Sequence, residues 1–132
     1  FGKYEKEILD CNNINNQNLY FVGGNTQQLS KYLNSANCLL YPSMYEGFGL
    51  PILEAFLHSC PVICSNVSSL PEVAGLAAEY FNPDSIDSMA NAIFKVINSN
   101  ERALELIKLG KERLKNFSLE KCAKETLNVY QL

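Results

Sequence analysis

The chain has 132 residues, a length suited to one domain with a packed core. Hydrophobic residues make up 47% and charged residues 19%, which excludes a disordered chain. A net charge of −3 without a Lys/Arg run excludes nucleic-acid binding by phosphate neutralisation, and no apolar run approaches the ~18 residues of a membrane span.

In chain order, "FGKYEKEILDC" reads as the tail of a helix over Lys3 to Leu9. It has no initiator methionine and no signal-peptide apolar region, so a fragment is expected. The asparagine-rich "CNNINNQN" reads as a solvated loop. "NLYFVGG", Asn18 to Gly24, is a short aromatic and β-branched run closed by glycines, hence a buried strand. Asn25 and Gln28 have capping-box spacing and open a helix with Leu29, Tyr32, Leu33 and Ala36 on one face. "CLLYPS" is a strand ended by Pro42, which cannot continue a central ladder. A glycine turn leads into a helix from Pro51 to about Ser59, proline being favoured at a first helical position.

"PVICS" is a further strand, and Ser69 with Glu72 repeats the capping-box spacing before a short helix. Leu76 to Phe81 is a weaker strand. "DSIDSMANAIFKVINS" is an amphipathic helix with Ile86, Met89, Ala90, Ile93 and Ile97 on its apolar face, and Asp84 and Asp87 read as N-terminal helix charges. Helices over Glu101 to Lys115 and Ser118 to Tyr130 complete the chain. Strands alternating with helices predict an α/β domain with a doubly wound, Rossmann-like parallel sheet, whose ligands bind where a strand hands over to a helix.

The five cysteines, four of them in apolar stretches, fit buried thiols in a reducing, cytoplasmic setting rather than a disulfide framework. His58, Cys60 and Cys64 match no zinc spacing, so no metal site is assigned. Ser68 and Ser69 have no histidine nearby in sequence and read as helix-cap residues rather than nucleophiles.

One stretch carries chemistry. In "YEGFGLPILEA", Glu46 and Glu54 have seven residues between them, with Gly47, Gly49 and Pro51 in the gap. The glycines permit close approach of the backbone to a ligand. The helix opening at Pro51 presents unpaired N–H groups and the positive end of its dipole, which favours phosphate. Glu54 is placed in the first turn and Glu46 across the loop, where carboxylates can accept hydrogen bonds from vicinal sugar hydroxyls. A plain glycine turn with Glu54 serving only the helix dipole is the alternative, and Tyr45 either packs or lines the pocket.

"PSMYEGFGLPILEAF" followed by "PVICSNVSSLPEVAGLAAEYFNP" resembles the signature region of the retaining glycosyltransferases called glycosyl transferases group 1. The resemblance runs from about Asn18 to "FSLEKCAKETLNVY" and implies the C-terminal, donor-binding half of a two-domain GT-B enzyme, here one partial domain over residues 1–132. It implies that Glu46 is the residue at the reacting sugar and contacts its hydroxyls. Gly47 and the amides of Phe48, Gly49 and Leu50 would meet the sugar and diphosphate. Glu54 would hold the ribose, and the loop of Val22, Gly23 and Gly24 would lie near the base. It further implies transfer from a nucleotide-sugar donor to a glycan or lipid-linked acceptor, with retention of configuration and no cofactor or metal.

The family's segment "G-x-PVI" reads "SCPVI" here, a small-residue exchange expected to matter little, and Leu119 stands where tryptophan often follows the serine of "FS". The family's diphosphate-neutralising Arg and Lys belong to strands ahead of this start, so the chain alone is expected to be inactive, with a free sheet edge prone to self-association. The rivals are a stand-alone nucleotide-sugar binding module, a non-enzymatic scaffold of the same fold, and a nucleotide-sugar epimerase.

Overall fold

The computed structural model describes Leu19, Tyr20, Val22 and residues 25–131. The helix expected over Lys3 to Leu9 lies outside the described residues, as do Cys11, Gly23 and Gly24. Of the strand expected over Asn18 to Gly24, only Leu19, Tyr20 and Val22 are described, and they carry no strand.

The described elements alternate as the sequence predicts. They are α1 (Thr26–Ser35), β1 (Leu39–Tyr41), α2 (Leu50–Leu57), β2 (Val62–Ser65), α3 (Leu70–Ala74), β3 (Ala78–Phe81), α4 (Ile86–Ile97), α5 (Asn100–Leu114) and α6 (Leu119–Tyr130). The strands form one parallel sheet in the order β1-β2-β3, with Leu39 opposite Val62 and Val62 opposite Ala78.

β2 is buried at every residue, as a central parallel strand covered on both faces must be. Its side chains alternate between two apolar clusters. Val62 and Cys64 meet Ile52, Ala55 and Phe56 of α2 and Leu70, Val73 and Ala74 of α3. Ile63 meets Ala92 and Val96 of α4 and Leu106 of α5 on the other face. Helices therefore cover both faces, which is the doubly wound, Rossmann-like arrangement.

Local chemistry sets the helix ends. Asn25 Oδ1 accepts the Gln28 N–H at 3.1 Å, and Ser85, Ser99 and Ser118 cap α4, α5 and α6 in the same way. α2 ends in paired closing bonds: Cys60 N–H donates to Ala55 O at 2.9 Å and Ser59 N–H to Phe56 O at 3.1 Å. Ser59 there takes a φ of +55°, a conformation glycine adopts without cost, so the serine is not a neutral exchange. α5 crosses α2 at Gly110, where an added Cβ would lie 2.6 Å from Phe56 Cδ1. That close approach sets where the end of α5, with Arg113, and the following Phe117 reach the loop ahead of α2.

Two sequence expectations change. α4 buries Ala92 and Val96, with Met89 and Ile93 partly covered, whereas Ile86, Ala90 and Ile97 face outward. Apolar residues surround so much of this helix that periodicity alone left its phase open. Ser69 precedes α3 but makes no capping bond, because its hydroxyl is engaged elsewhere.

Candidate functional site

The loop Pro42–Gly49 joins the carboxyl end of β1 to α2, the position where ligands bind in sheets of this kind. Its shape is fixed from two sides. Glu46 Oε1 accepts from the Tyr41 hydroxyl at 2.5 Å and from the Ser43 hydroxyl at 2.8 Å. The Glu46 backbone is clasped reciprocally by Ser68, whose Oγ donates to Glu46 O at 2.8 Å and accepts from Glu46 N–H at 3.2 Å. Ser69 Oγ lies 3.0 Å from Glu46 O and 2.9 Å from Phe48 O, so its single proton serves either carbonyl. The serines read as caps are thus loop anchors. Ser68 takes a φ of +58° to reach the loop, a local cost tolerated where neighbours over-determine the conformation.

Both hydroxyls on Glu46 point at one oxygen. Among the described residues nothing engages Oε2, which remains free to accept hydrogen bonds. The Tyr41 hydrogen bond first, and the Ser43 hydrogen bond second, hold the Glu46 carboxyl below its ordinary value. Burial, then the hydrogen bond and charge of Glu46, push the Tyr41 phenol up to about 12. The pair is therefore carboxylate and phenol throughout the neutral range, with the tyrosine donating.

Gly49 closes the loop as the residue before α2, with φ +108° and ψ 44°. A Cβ there would also lie 2.9 Å from Leu70 Cδ2, so glycine is required twice over. Gly47 differs: nothing lies within 4 Å of a Cβ built on it and its φ is not left-handed, so the fold itself does not demand glycine there. Pro51 lacks an N–H, and among the described residues the amides of Phe48, Gly49 and Leu50 find no backbone acceptor. These are donors without partners at the N-terminus of an eight-residue helix.

Glu54 falls one turn later than its sequence reading, since α2 starts at Leu50 and carries no acid in its first turn. It is half-buried. Phe48 and Leu50 line a cleft of about 580 Å³ shared with Leu53, Phe117 and α6, and Gly47 and Phe48 line a smaller one of about 180 Å³ with Ser69, Glu72, Arg113 and Phe117. Val22 lines a separate apolar hollow of about 400 Å³ beside α1 and β1. Gly23, assigned with it, lies outside the described residues. Tyr45 is 83% exposed, so it does not pack in the core. Among the described residues no three His, Cys, Asp or Glu side chains converge as metal ligands, and His58 Nδ1 instead pairs with Asn34 Oδ1 at 3.2 Å.

The sequence reading missed Tyr41 and Ser43 as the groups that hold Glu46. Their signal was present in "YPSMYE": the last strand residue and a serine three positions before the acid.

A parallel sheet with helices on both faces and a glycine-closed loop at the end of β1 defines a Rossmann-like α/β domain. Residues 2–113 match the family described as glycosyl transferases group 1, and the chain belongs to that family, with the GT-B type of fold. It is 42% identical over 98 residues to the O-antigen chain mannosyltransferase B of Escherichia coli, covering 74% of this chain and 26% of that protein. It is 31% identical over 113 residues to the MMP alpha-(1->4)-mannosyltransferase of Mycolicibacterium hassiacum, covering 83% of this chain and 28% of that one. Its structure superimposes on the sucrose-phosphate synthase of Thermosynechococcus elongatus with a TM-score of 0.84 at 26% identity, covering 98% of this chain and 33% of the synthase. The chain thus spans about a quarter to a third of the length of these relatives. Among the described residues, no helix is long and apolar enough to cross a membrane.

Proposed function

We propose that this chain is the donor-binding portion of a retaining glycosyltransferase that moves a hexose from a nucleotide-diphosphate sugar to a glycan or lipid-linked acceptor. The two mannosyltransferase relatives favour mannose as the sugar. The observation that carries the reading is Glu46: an ionised carboxylate fixed through Oε1, with Oε2 free, beside a run of unpartnered amides. In this reading Glu46 accepts from hydroxyls of the donor sugar, Gly47 leaves it room, and the amides of Phe48, Gly49 and Leu50 face the diphosphate. Glu54 accepts from the ribose, and Val22 with Gly23 lies toward the base.

As the glycosidic bond to the donor breaks, negative charge grows on the departing diphosphate and positive charge on the sugar ring. The helix end meets the first and the Glu46 carboxylate the second. No metal or cofactor is assigned. In this reading these residues take the donor, and none of them is assigned to the acceptor. The free thiols of Cys38, Cys60, Cys64 and Cys122 favour a cytoplasmic setting. Self-association through the β1 edge is part of the same reading.

Calorimetric titration with GDP, UDP, GDP-mannose and UDP-glucose tests it. The expected result is binding of one nucleotide and its sugar, weakened by Glu54→Ala for both and by Glu46→Gln for the sugar nucleotide. Binding indifferent to both substitutions, or none to any of the four, overturns it.

A further inference from the structure

The loop that carries Glu46 is anchored through its backbone by Ser68 and Ser69. The side chain of Phe48 is held by something else. The Phe48 and Phe117 rings meet edge to face, with centroids 5.9 Å apart and planes at 79°. Phe117 is itself covered: the Arg113 guanidinium carbon stands 5.1 Å from its ring centroid. The same guanidinium donates through Nε to Val73 O at 3.0 Å and through Nη2 to Glu72 O. Those carbonyls belong to α3, whose leading end carries Ser69 and therefore the anchor on Phe48 O.

One planar cation thus ties together two supports of the loop, the ring contact and the serine contact. Lysine cannot do this, because it offers a point charge rather than a flat fork that donates along its edge while stacking on its face. The ion pairs found among the described residues do not include Arg113, so its role here is this clasp.

We propose that Arg113 and Phe117 are positioning residues: through Phe48 they set where the amides of Phe48, Gly49 and Leu50 point. That those amides receive the donor diphosphate rests on the function proposed above; the clasp itself does not. An edge-to-face pair contributes about 0.5–1.5 kcal/mol beyond its area, which corresponds to about a twofold to twelvefold change in an equilibrium.

The test combines backbone NMR relaxation of the 132-residue chain with GDP-mannose titration, on Phe117→Leu, Phe117→Tyr and Arg113→Lys. In Phe117→Leu and Arg113→Lys, order parameters at Phe48, Gly49 and Leu50 should fall from the rigid range (about 0.85) toward the flexible one (below about 0.6), while those of β2 hold. Phe117→Tyr, which keeps the ring, should stay near wild type. GDP-mannose affinity should fall about twofold to twelvefold in the first two variants and not in the third. Unchanged loop order in both Phe117→Leu and Arg113→Lys, or an equal loss of order through β2, overturns the clasp. A loop that loosens as stated in a chain that binds no nucleotide sugar upholds the clasp and overturns the donor reading instead.

Discussion

At the carboxyl end of β1, Glu46 is held by two hydroxyls; in the middle of β3, Glu79 is held by two cations. Lys95 Nζ lies 2.7 Å from Glu79 Oε1, and Arg102 lies 2.8 Å from Oε2 while also pairing with Glu105 at 2.6 Å. Burial pushes the Glu79 carboxyl up, but the hydrogen bonds and charges of Lys95 and Arg102 outweigh it and the net direction is down. Both acids are ionised, yet their remaining capacity differs. Glu79 has cations on both oxygens and its charge is neutralised in place, which suits a strut between β3, α4 and α5. Glu46 is ionised by neutral donors on one oxygen, so its full charge and a free oxygen face outward. On the function proposed above, the charge left open on Glu46 serves a ligand, whereas the charge neutralised on Glu79 serves the fold.

The substitution that disturbs the comparison most is Gly49→Ala. The alanine must take a left-handed φ and meet Leu70 Cδ2, a combined cost of about 2–4 kcal/mol. A urea unfolding curve should show that loss, and donor binding should disappear with it, while the Glu79 network stays intact. Glu46→Gln comes next and separates the two quantities. It should lower nucleotide-sugar affinity on the order of tenfold to a hundredfold, the range for hydrogen bonds to a charged group. The urea midpoint should fall far less than in Gly49→Ala, because Glu46 is tied to the fold only by hydrogen bonds from Tyr41 and Ser43. A stability loss without a binding loss would place Glu46 with Glu79 as a strut.

Much of this was legible from residue order. The alternation of strands and helices implied a parallel sheet covered on both faces, and the burial of every β2 residue fits it. The glycines and proline around Glu46 and Glu54 gave the loop and the helix start. Three features were not legible, each because it depends on contacts distant in sequence. Ser69 has the spacing of a cap, but its hydroxyl turns to a loop 21 residues away, which local pattern does not encode. Gly110 carries no local sign that Phe56 lies against it. Nothing next to Arg113 in the chain marks its reach back to Glu72 and Val73, about 40 residues away.

Glu79→Ala is the smaller, complementary break. Arg102 keeps Glu105, so the loss is that of a half-buried pair discounted for partial solvation, about 1–2 kcal/mol. Donor binding should be unaffected. The pH dependence has a definite sign. A lowered folded-state value means the stabilisation is present above the ordinary carboxylate value of 4.5 and is lost as pH falls through the lowered one. Wild type and variant should therefore differ most at neutral pH and converge in acid. A gap that persists undiminished in acid would show that packing, not charge, is what Glu79 contributes.

Tyr41→Phe is the smallest break and the sharpest. It removes the leading cause of the lowered Glu46 value and leaves the Ser43 hydrogen bond in place. The Glu46 carboxyl should move up toward 4.5 without reaching it. Because the free Oε2 accepts best when ionised, the acid limb of nucleotide-sugar binding should shift to higher pH, and affinity at neutral pH should change little. Tyr41→Phe combined with Ser43→Ala should complete the shift. In wild type the phenol, pushed up to about 12, keeps donating well past the neutral range, so the alkaline side should show no early loss from this pair. An acid limb that ignores both substitutions would mean that the charge sensed by the ligand is not that of Glu46.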